Sequence, residues 1–512
     1  MSLLFPFENA YAQLPAQCFS KALPTPVKKP QLIRFNEALA RTLNIDFSNV
    51  TDDELAAVFS GNETPENSEP LAMAYSGHQF GNLNPQLGDG RAILLGDLID
   101  VRGQLMDVQL KGAGRTPYSR GGDGRSPMGP ALREYILCEA MTALGVPTTR
   151  ALAVVASGEP VVRQQREPGA IFTRVASSHI RVGTFQYFAL RRDEEGLKAI
   201  ADHVIERHYP EIDSTAEDRY LQMFKAICKA QADLIAHWML LGFIHGVMNT
   251  DNMTVSGETI DYGPCAFIDA FSMNKKFSSI DQQGRYAYNN QPAIGQWNLA
   301  RLAESLLGLF PGDEKEAVAA ATEILGDYSH WHHSAWQAGI NKKLGFSTVG
   351  DEDDAINRAE NDKAFSERLL KILDDGRLDF TLFFRRLSDL ADQGSNADRA
   401  SLLALADDPE ARKSEPLLTE LNAWLDDWQT RLSEREVDLV TVKARMHSVN
   451  PAIIPRNHRV AEAIAAAEAG DYTVFDKLLS AVEQPYVSRP EFAEYEQGPQ
   501  PEEKVLRTFC GT

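Results

Sequence analysis

Cysteine is scarce in this chain of 512 residues. There are five (Cys18, Cys138, Cys228, Cys265 and Cys510), with no CxxC pair and no His/Cys cluster at zinc spacing. Neither a disulfide framework nor a structural metal site is indicated. Long apolar runs are missing too. The opening MSLLFPFENAYAQLPAQCF has no Lys or Arg ahead of its apolar residues and no stretch long enough for a signal h-region or a membrane-spanning helix, so the expectation is a soluble, cytoplasmic protein. Positive charge is in deficit: 51 Lys and Arg stand against 72 Asp and Glu, a formal net charge of −21. That balance disfavours general attraction to nucleic acid or an anionic membrane, so any phosphate must be held by a local basic pocket. Internal repeats and low-complexity tracts are absent, while 43% hydrophobic residues suffice for a substantial core in two or three structural units.

The texture of the chain changes along its length. Residues 1–70 mix prolines, an amphipathic stretch and an acidic loop, as expected of an extension packed on a larger body. Residues 71–192 read as a strand-rich lobe. PQLGDGRAILLGDLI suggests strand, glycine turn, strand; LMDVQLKGAG suggests a strand closed by Gly112 and Gly114; LREYILCEAMTALG, after Pro130, has helical spacing and ends at Gly145. ALAVVASGEPVVRQQ predicts a hairpin turning at Ser157–Glu159. Residues 193–345 read as a helical lobe whose first loop is rich in polar residues, and residues 346–512 as helices alone.

Order and spacing carry the chemistry. Gly88 and Gly90 flank a turn where the missing Cβ would let backbone N–H groups approach a phosphate. Lys111 ends the next strand, where kinases keep a phosphate-pairing lysine, and Glu134 sits in the following helix, where kinases keep its carboxylate partner. After a long apolar helix come His245-Gly246, then Asp251-Asn252, then Asp261-Tyr262-Gly263 at the place of the kinase DFG. Asn252 and Asp261 supply hard oxygens suited to Mg²⁺ on a triphosphate. Each element alone is equally well a turn, a strand-end charge or a solvated arginine; six in kinase order are hard to obtain from turns. One departure decides the chemistry: Val247 stands where the kinase loop has its catalytic aspartate, so γ-phosphoryl transfer from this loop is disfavoured and Asp251 is the nearest carboxylate able to take a proton. His245 reads as a packing residue bonded to backbone carbonyls. Arg91, Asp123-Gly124, Arg174 and Arg181 add charge where a kinase places adenine, which points to a nucleotide in a different orientation.

These blocks, with AYSGHQFGNLNPQLGDGRAILLGD, QLKGAGRTPYSRGGDGRS, HGVMNTDNM, QPAIGQWNLARLAESL and NPAIIPRNHRVAEAI, resemble the selenoprotein O family of pseudokinase-like protein adenylyltransferases over nearly the whole chain. The resemblance implies an α+β, protein-kinase-like two-lobed fold, with a strand-rich N-lobe, a helical C-lobe and a helical C-terminal extension. It implies flipped ATP and transfer of AMP to Ser, Thr or Tyr hydroxyls of protein partners, with UMP transfer under Mn²⁺ also known in the family. Gly88, Gly90, Arg91, Lys111, Asp123, Gly124, Arg174, Arg181 and Asp261 would hold the nucleotide. Asn252 and Asp261 would hold Mg²⁺ or Mn²⁺, Asp251 would accept the proton, and Glu134 would orient Lys111. A monomer is expected. A true kinase and a silent ATP-sensing module remain as rivals. Cys510, where relatives carry selenocysteine, lies in a tail expected to be mobile and is weighed as a redox partner for Cys265.

Overall fold

The computed structural model describes residues 5–346, 355–393, 398–435 and 438–509. The strands are β1 (Phe19–Lys21), β2 (Gln31–Phe35), β3 (Leu71–Met73), β4 (Gly77–Gln79), β5 (Asn82–Asn84), β6 (Ala92–Ile99), β7 (Leu105–Lys111), β8 (Ser126–Pro127), β9 (Arg150–Val162), β10 (Arg166–Ala176), β11 (Phe243–Ile244) and β12 (Ala266–Phe267). Seven form one antiparallel sheet in the order β1-β3-β6-β7-β10-β9-β2, with β8 paired to β10. Both outer strands come from the first 35 residues.

Alternation along the inner strands explains how the sheet is covered. On β6, Ile93 and Leu95 join a core with Leu55, Phe59 and Leu39 from α1 (Glu37–Thr42) and α2 (Asp52–Phe59), while Leu94 points into the core on the opposite face. That second face is covered by α3 (Met128–Ala143), whose Leu132, Tyr135 and Ile136 are fully buried. Each such side chain contributes roughly 1.5–3 kcal/mol by leaving water.

The remainder is mainly helical: α4 (Val182–Arg191), α5 (Glu194–His208), α6 (Arg219–Leu241), α7 (Gln291–Leu306), α8 (Glu314–Lys343), α9 (Ala355–Gly376), α10 (Phe380–Leu390), α11 (Ala400–Leu403), α12 (Glu415–Arg435), α13 (Leu439–Val449), α14 (Asn457–Glu468) and α15 (Thr473–Val482). The long apolar segment before the polar loop is α6, buried by Met223, Phe224, Ile227, Ile235 and Trp238 against α7 and α8. α14 and α15 return to α3 on the sheet; Phe475 meets Tyr135 with ring centroids 5.7 Å apart. No described helix is long and apolar enough to cross a membrane.

Three local expectations are corrected. No strand precedes the Gly88 turn within PQLGDG; the preceding strand ends at Asn84, and β6 begins only at Ala92. The chain does not turn at Ser157–Glu159: β9 runs through to Val162 and turns beyond it, with Gly158 absorbed at φ +68° beside a register shift in the β9–β10 ladder. α3 starts at Met128, so Pro130 sits within the first turn, where its missing N–H has no intrahelical partner to lose.

Candidate active site

A two-residue ladder sets up the site. β11 pairs with β12, Phe243 opposite Phe267 and Ile244 opposite Ala266, so the chain from His245 to Cys265 forms a closed loop at the end of α6. This loop faces β6, β7 and β10 across a cleft of about 690 Å³, lined by Gly88, Gly90, Arg91, Lys111, Asp123, Gly124, Glu134, Arg174, Arg181, Asp251, Asn252 and Asp261. Residues from across more than 170 positions of sequence thus converge on one cavity.

Asp261 is at its centre. Its backbone takes φ +61°, a left-handed conformation costing on the order of 1–3 kcal/mol in a non-glycine residue. Its Oδ1 accepts from Lys111 Nζ (2.8 Å) and Arg174 Nη1 (2.7 Å), and its Oδ2 from Arg181 Nη1 (2.9 Å). Burial alone would raise this carboxyl, but the three cations outweigh it and hold the group well below the usual carboxylate range. Lys111 also donates to Glu134 Oε2 at 2.6 Å, while Arg174 reaches Glu134 Oε1 at 3.0 Å.

Arg174 is locked from behind. Its Nη2 donates to Gln109 Oε1 (2.7 Å) and its Nε to His179 Nε2 (3.2 Å), and His179 Nδ1 lies 2.9 Å from Asp107 Oδ2. His179 must then be neutral with its proton on Nδ1; burial pushes it down to about 4, in agreement. Arg181 donates to the Asp251 carbonyl (2.7 Å) and lies over the Tyr75 ring.

Asp251 lies in the short 3₁₀ turn Thr250–Asn252, and burial pushes its carboxyl up to about 6. Gln79 Nε2 donates to its Oδ2 at 3.0 Å. Asn252 donates its amide to the Val247 carbonyl (3.1 Å), which leaves its own oxygen as a hard donor. His245 is fully buried with Nε2 on the Ile260 carbonyl at 2.8 Å, a packing role as expected.

The donor set fits a hard divalent cation: Asn252 and Asp261 would offer it one amide and one carboxylate oxygen. No group of three or more His, Cys, Asp or Glu among the described residues could hold a metal by itself.

The family model described as Protein adenylyltransferase SelO matches residues 2–483. The chain belongs to the SelO family. Relatives called protein nucleotidyltransferase YdiU include those of Rhizobium johnstonii, 54% identical over 510 residues (99% of this chain, 97% of the relative), and Rhizobium meliloti, 54% identical over 510 residues (99% of each). Another, from Rhodopseudomonas palustris, is 50% identical over 513 residues, spanning both chains completely.

Two expectations for this SelO chain change. Gly88 does not offer its N–H to the cleft, because that N–H bonds the Tyr75 carbonyl (3.1 Å); glycine is needed there for φ +69° and because a Cβ would sit 2.3 Å from the Tyr118 ring. The tail expected to be mobile is anchored at Thr508, whose N–H donates to the Phe277 carbonyl (2.9 Å) and whose hydroxyl donates to the Pro264 carbonyl (2.5 Å). Cys510 lies outside the described residues. Cys265 is fully buried, does not line the cleft, and burial pushes its thiol up to about 11. Asp123 lines the cleft, but its carboxylate is forked to Arg163 at 2.8 and 3.0 Å.

Sequence reasoning passed over Gln79, Asp89, Gln109, Tyr118 and His179, all of which touch or brace the residues it selected. Asp89 Oδ2 accepts from Met73 N and Gln109 Nε2, both at 3.1 Å. The uncharged block AYSGHQFGN held the only signal for Gln79.

Proposed function

We propose that this chain transfers AMP from ATP to hydroxyl groups of proteins, releasing pyrophosphate, on a kinase-like two-lobed frame with the divisions 1–70, 71–192, 193–345 and 346–512. The observation that carries this reading is the pairing of Val247 at the usual position of the kinase base with three cations, Lys111, Arg174 and Arg181, gathered on Asp261 at the cleft floor. A triphosphate whose β and γ groups are held by those cations presents its α-phosphorus toward the mouth, with pyrophosphate as the stabilised leaving group.

In the reaction, the acceptor hydroxyl oxygen bonds to the α-phosphorus as its proton passes to an Asp251 oxygen. The bond to the bridging oxygen breaks, and its electron pair leaves with pyrophosphate, whose charge Lys111, Arg174 and Arg181 neutralise. Asn252 and Asp261 would hold Mg²⁺ or Mn²⁺, which when bound screens phosphate charge. Glu134 keeps Lys111 extended into the cleft, and Arg91, Gly88, Gly90, Asp123 and Gly124 shape its wall. UTP with Mn²⁺ is a second nucleotide to test. The relatives' name, protein nucleotidyltransferase, supports the reading.

The test is incubation of the full chain with ATP labelled at the α or the γ phosphorus, with Mg²⁺ or Mn²⁺, using the chain itself and a mixed protein extract as acceptors. Label on protein from the α position alone is expected, and is lost in Asp261→Ala. Label from the γ position alone would make the chain a kinase, and no label with ATP still bound would make it a sensor.

A further inference from the structure

The β4–β5 hairpin contacts the loop carrying Asp251 one residue at a time. His78 N donates to Thr250 Oγ1 (2.7 Å), Gln79 Nε2 to Asp251 Oδ2 (3.0 Å) and Phe80 N to Asn249 Oδ1 (3.2 Å). Two of these contacts are reinforced. Thr250 Oγ1 donates onward to Gln186 Oε1 (2.6 Å) and Gln186 Nε2 returns to His78 Nδ1 (2.8 Å), closing a ring; Tyr286 donates to Asn249 Oδ1 (2.6 Å). Among the described residues, the third contact, on the Asp251 carboxylate, rests on Gln79 alone.

Gly77 explains why the hairpin can come so close. A Cβ at this position would sit 2.4 Å from Asp251 Oδ1 and 2.8 Å from its Cγ, so only glycine leaves room for the carboxylate. Asp251 Oδ1, packed there, is buried and accepts no hydrogen bond from a neighbour among the described residues. One oxygen is thus confined by shape and the other by a single amide. The amide is neutral, so it orients the carboxylate without spending its charge on an ion pair, as Lys or Arg would.

Resting on the reading of Asp251 as proton acceptor, we propose that the β4–β5 hairpin aims that carboxylate at the incoming hydroxyl, with Gln79 as its positioning residue and Gly77 as the space it requires. Gln79 itself lines the cleft, so the amide stands where an acceptor side chain would approach. Without it the carboxylate has no neutral partner and a strong cation, Arg181, already bonded to its own backbone carbonyl.

The test replaces Gln79 by Met, which keeps the length and loses the donor, in the full chain. The readouts are α-label transfer onto whichever acceptor takes label from the unaltered chain, calorimetric affinity for MgATP, and the melting temperature. Gln79→Met is expected to lower kcat by about 10- to 100-fold while KM and Kd for ATP stay within about two-fold. Gly77→Ala should show the same split. In an Asp251→Asn background, Gln79→Met should lower the residual rate no further, because the two act as one unit. Unchanged kcat in Gln79→Met, a parallel loss of ATP affinity, or the same fold-loss in the Asp251→Asn background would each overturn the proposal. Full turnover in Asp251→Asn alone would instead remove the base assignment on which it rests.

Discussion

Glu258 shows how much a single half-buried side chain can weigh here. Its Oε2 accepts from Ser177 N (3.1 Å), Ser177 Oγ (2.7 Å) and Ser256 Oγ (3.3 Å), and burial nevertheless pushes the carboxyl up to about 7 from its ordinary 4.5. Between those values the folded chain keeps a proton that the unfolded chain has released, so this group's contribution to stability falls as pH rises through the window and levels off above it. Glu258→Gln cannot ionise and keeps the acceptor oxygen. Relative to the unaltered protein it should gain up to about 3 kcal/mol between pH 4.5 and pH 8. Urea unfolding at both pH values measures this; a difference that does not change with pH would show that Glu258 titrates normally in the fold. The charged members of the cleft could be read from sequence because few structural reasons put Lys111, Glu134 and Asp261 in that order. Gln79 could not: it is a neutral amide whose partner lies 172 residues further along the chain.

At the level of elements, the strands and helices were legible where periodicity and punctuation agreed, as in β7 with its following glycines and α6 with its Gly242 cap at φ +69°. They were not where a glycine sat inside a strand: at Gly158 the chain keeps its ladder and bulges, and no local signal separates a bulge from a turn. Docking between elements was out of reach. Arg181 precedes α4, and the helix's second residue, Gly183, meets Ser76, just ahead of β4, backbone to backbone, with Ser76 N on the Gly183 carbonyl at 2.9 Å. A Cβ on Gly183 would sit 2.0 Å from the Ser76 carbonyl oxygen. Gly183→Ala must therefore push the start of α4, and with it Arg181, away from the cleft. A loss of about 1–3 kcal/mol in stability is expected with weaker ATP binding. Thermal unfolding and calorimetry read the two effects; a variant as stable and as tight-binding as the original would mean the helix start can shift at no cost.

For the whole molecule, the C-terminal helices determine how the two sides of the cleft are held. One core runs without a break from Leu94 on the sheet through α3 and α6 to Val460 and Phe475. Polar ties run alongside it: Arg133 of α3 donates to the Gly263 carbonyl (3.1 Å), just past Asp261, and to Asn457 Oδ1 (3.0 Å) at the start of α14. Arg456, 1% exposed, sits next to it and forks onto Asp379 (2.9 and 3.2 Å), the residue capping α10, while also reaching Asp269 just beyond β12. Arg456 thus ties the strand that closes the 245–265 loop to the helical region beyond it. Removing it leaves Asp379 and the partly exposed Asp269 without the guanidinium they share, and breaking such a buried pair costs about 3–5 kcal/mol. Arg456→Ala should lose that much in urea unfolding and, because β12 fixes the loop ending at Cys265, should weaken binding of MgATP as well. Arg456→Lys should recover only part of either, since one ammonium cannot span both carboxylates in the planar fork that guanidinium allows. If Arg456→Ala unfolded at the same urea concentration as the original, the polar tie between the C-terminal helices and the 245–265 loop would rest on Arg133 and not on Arg456.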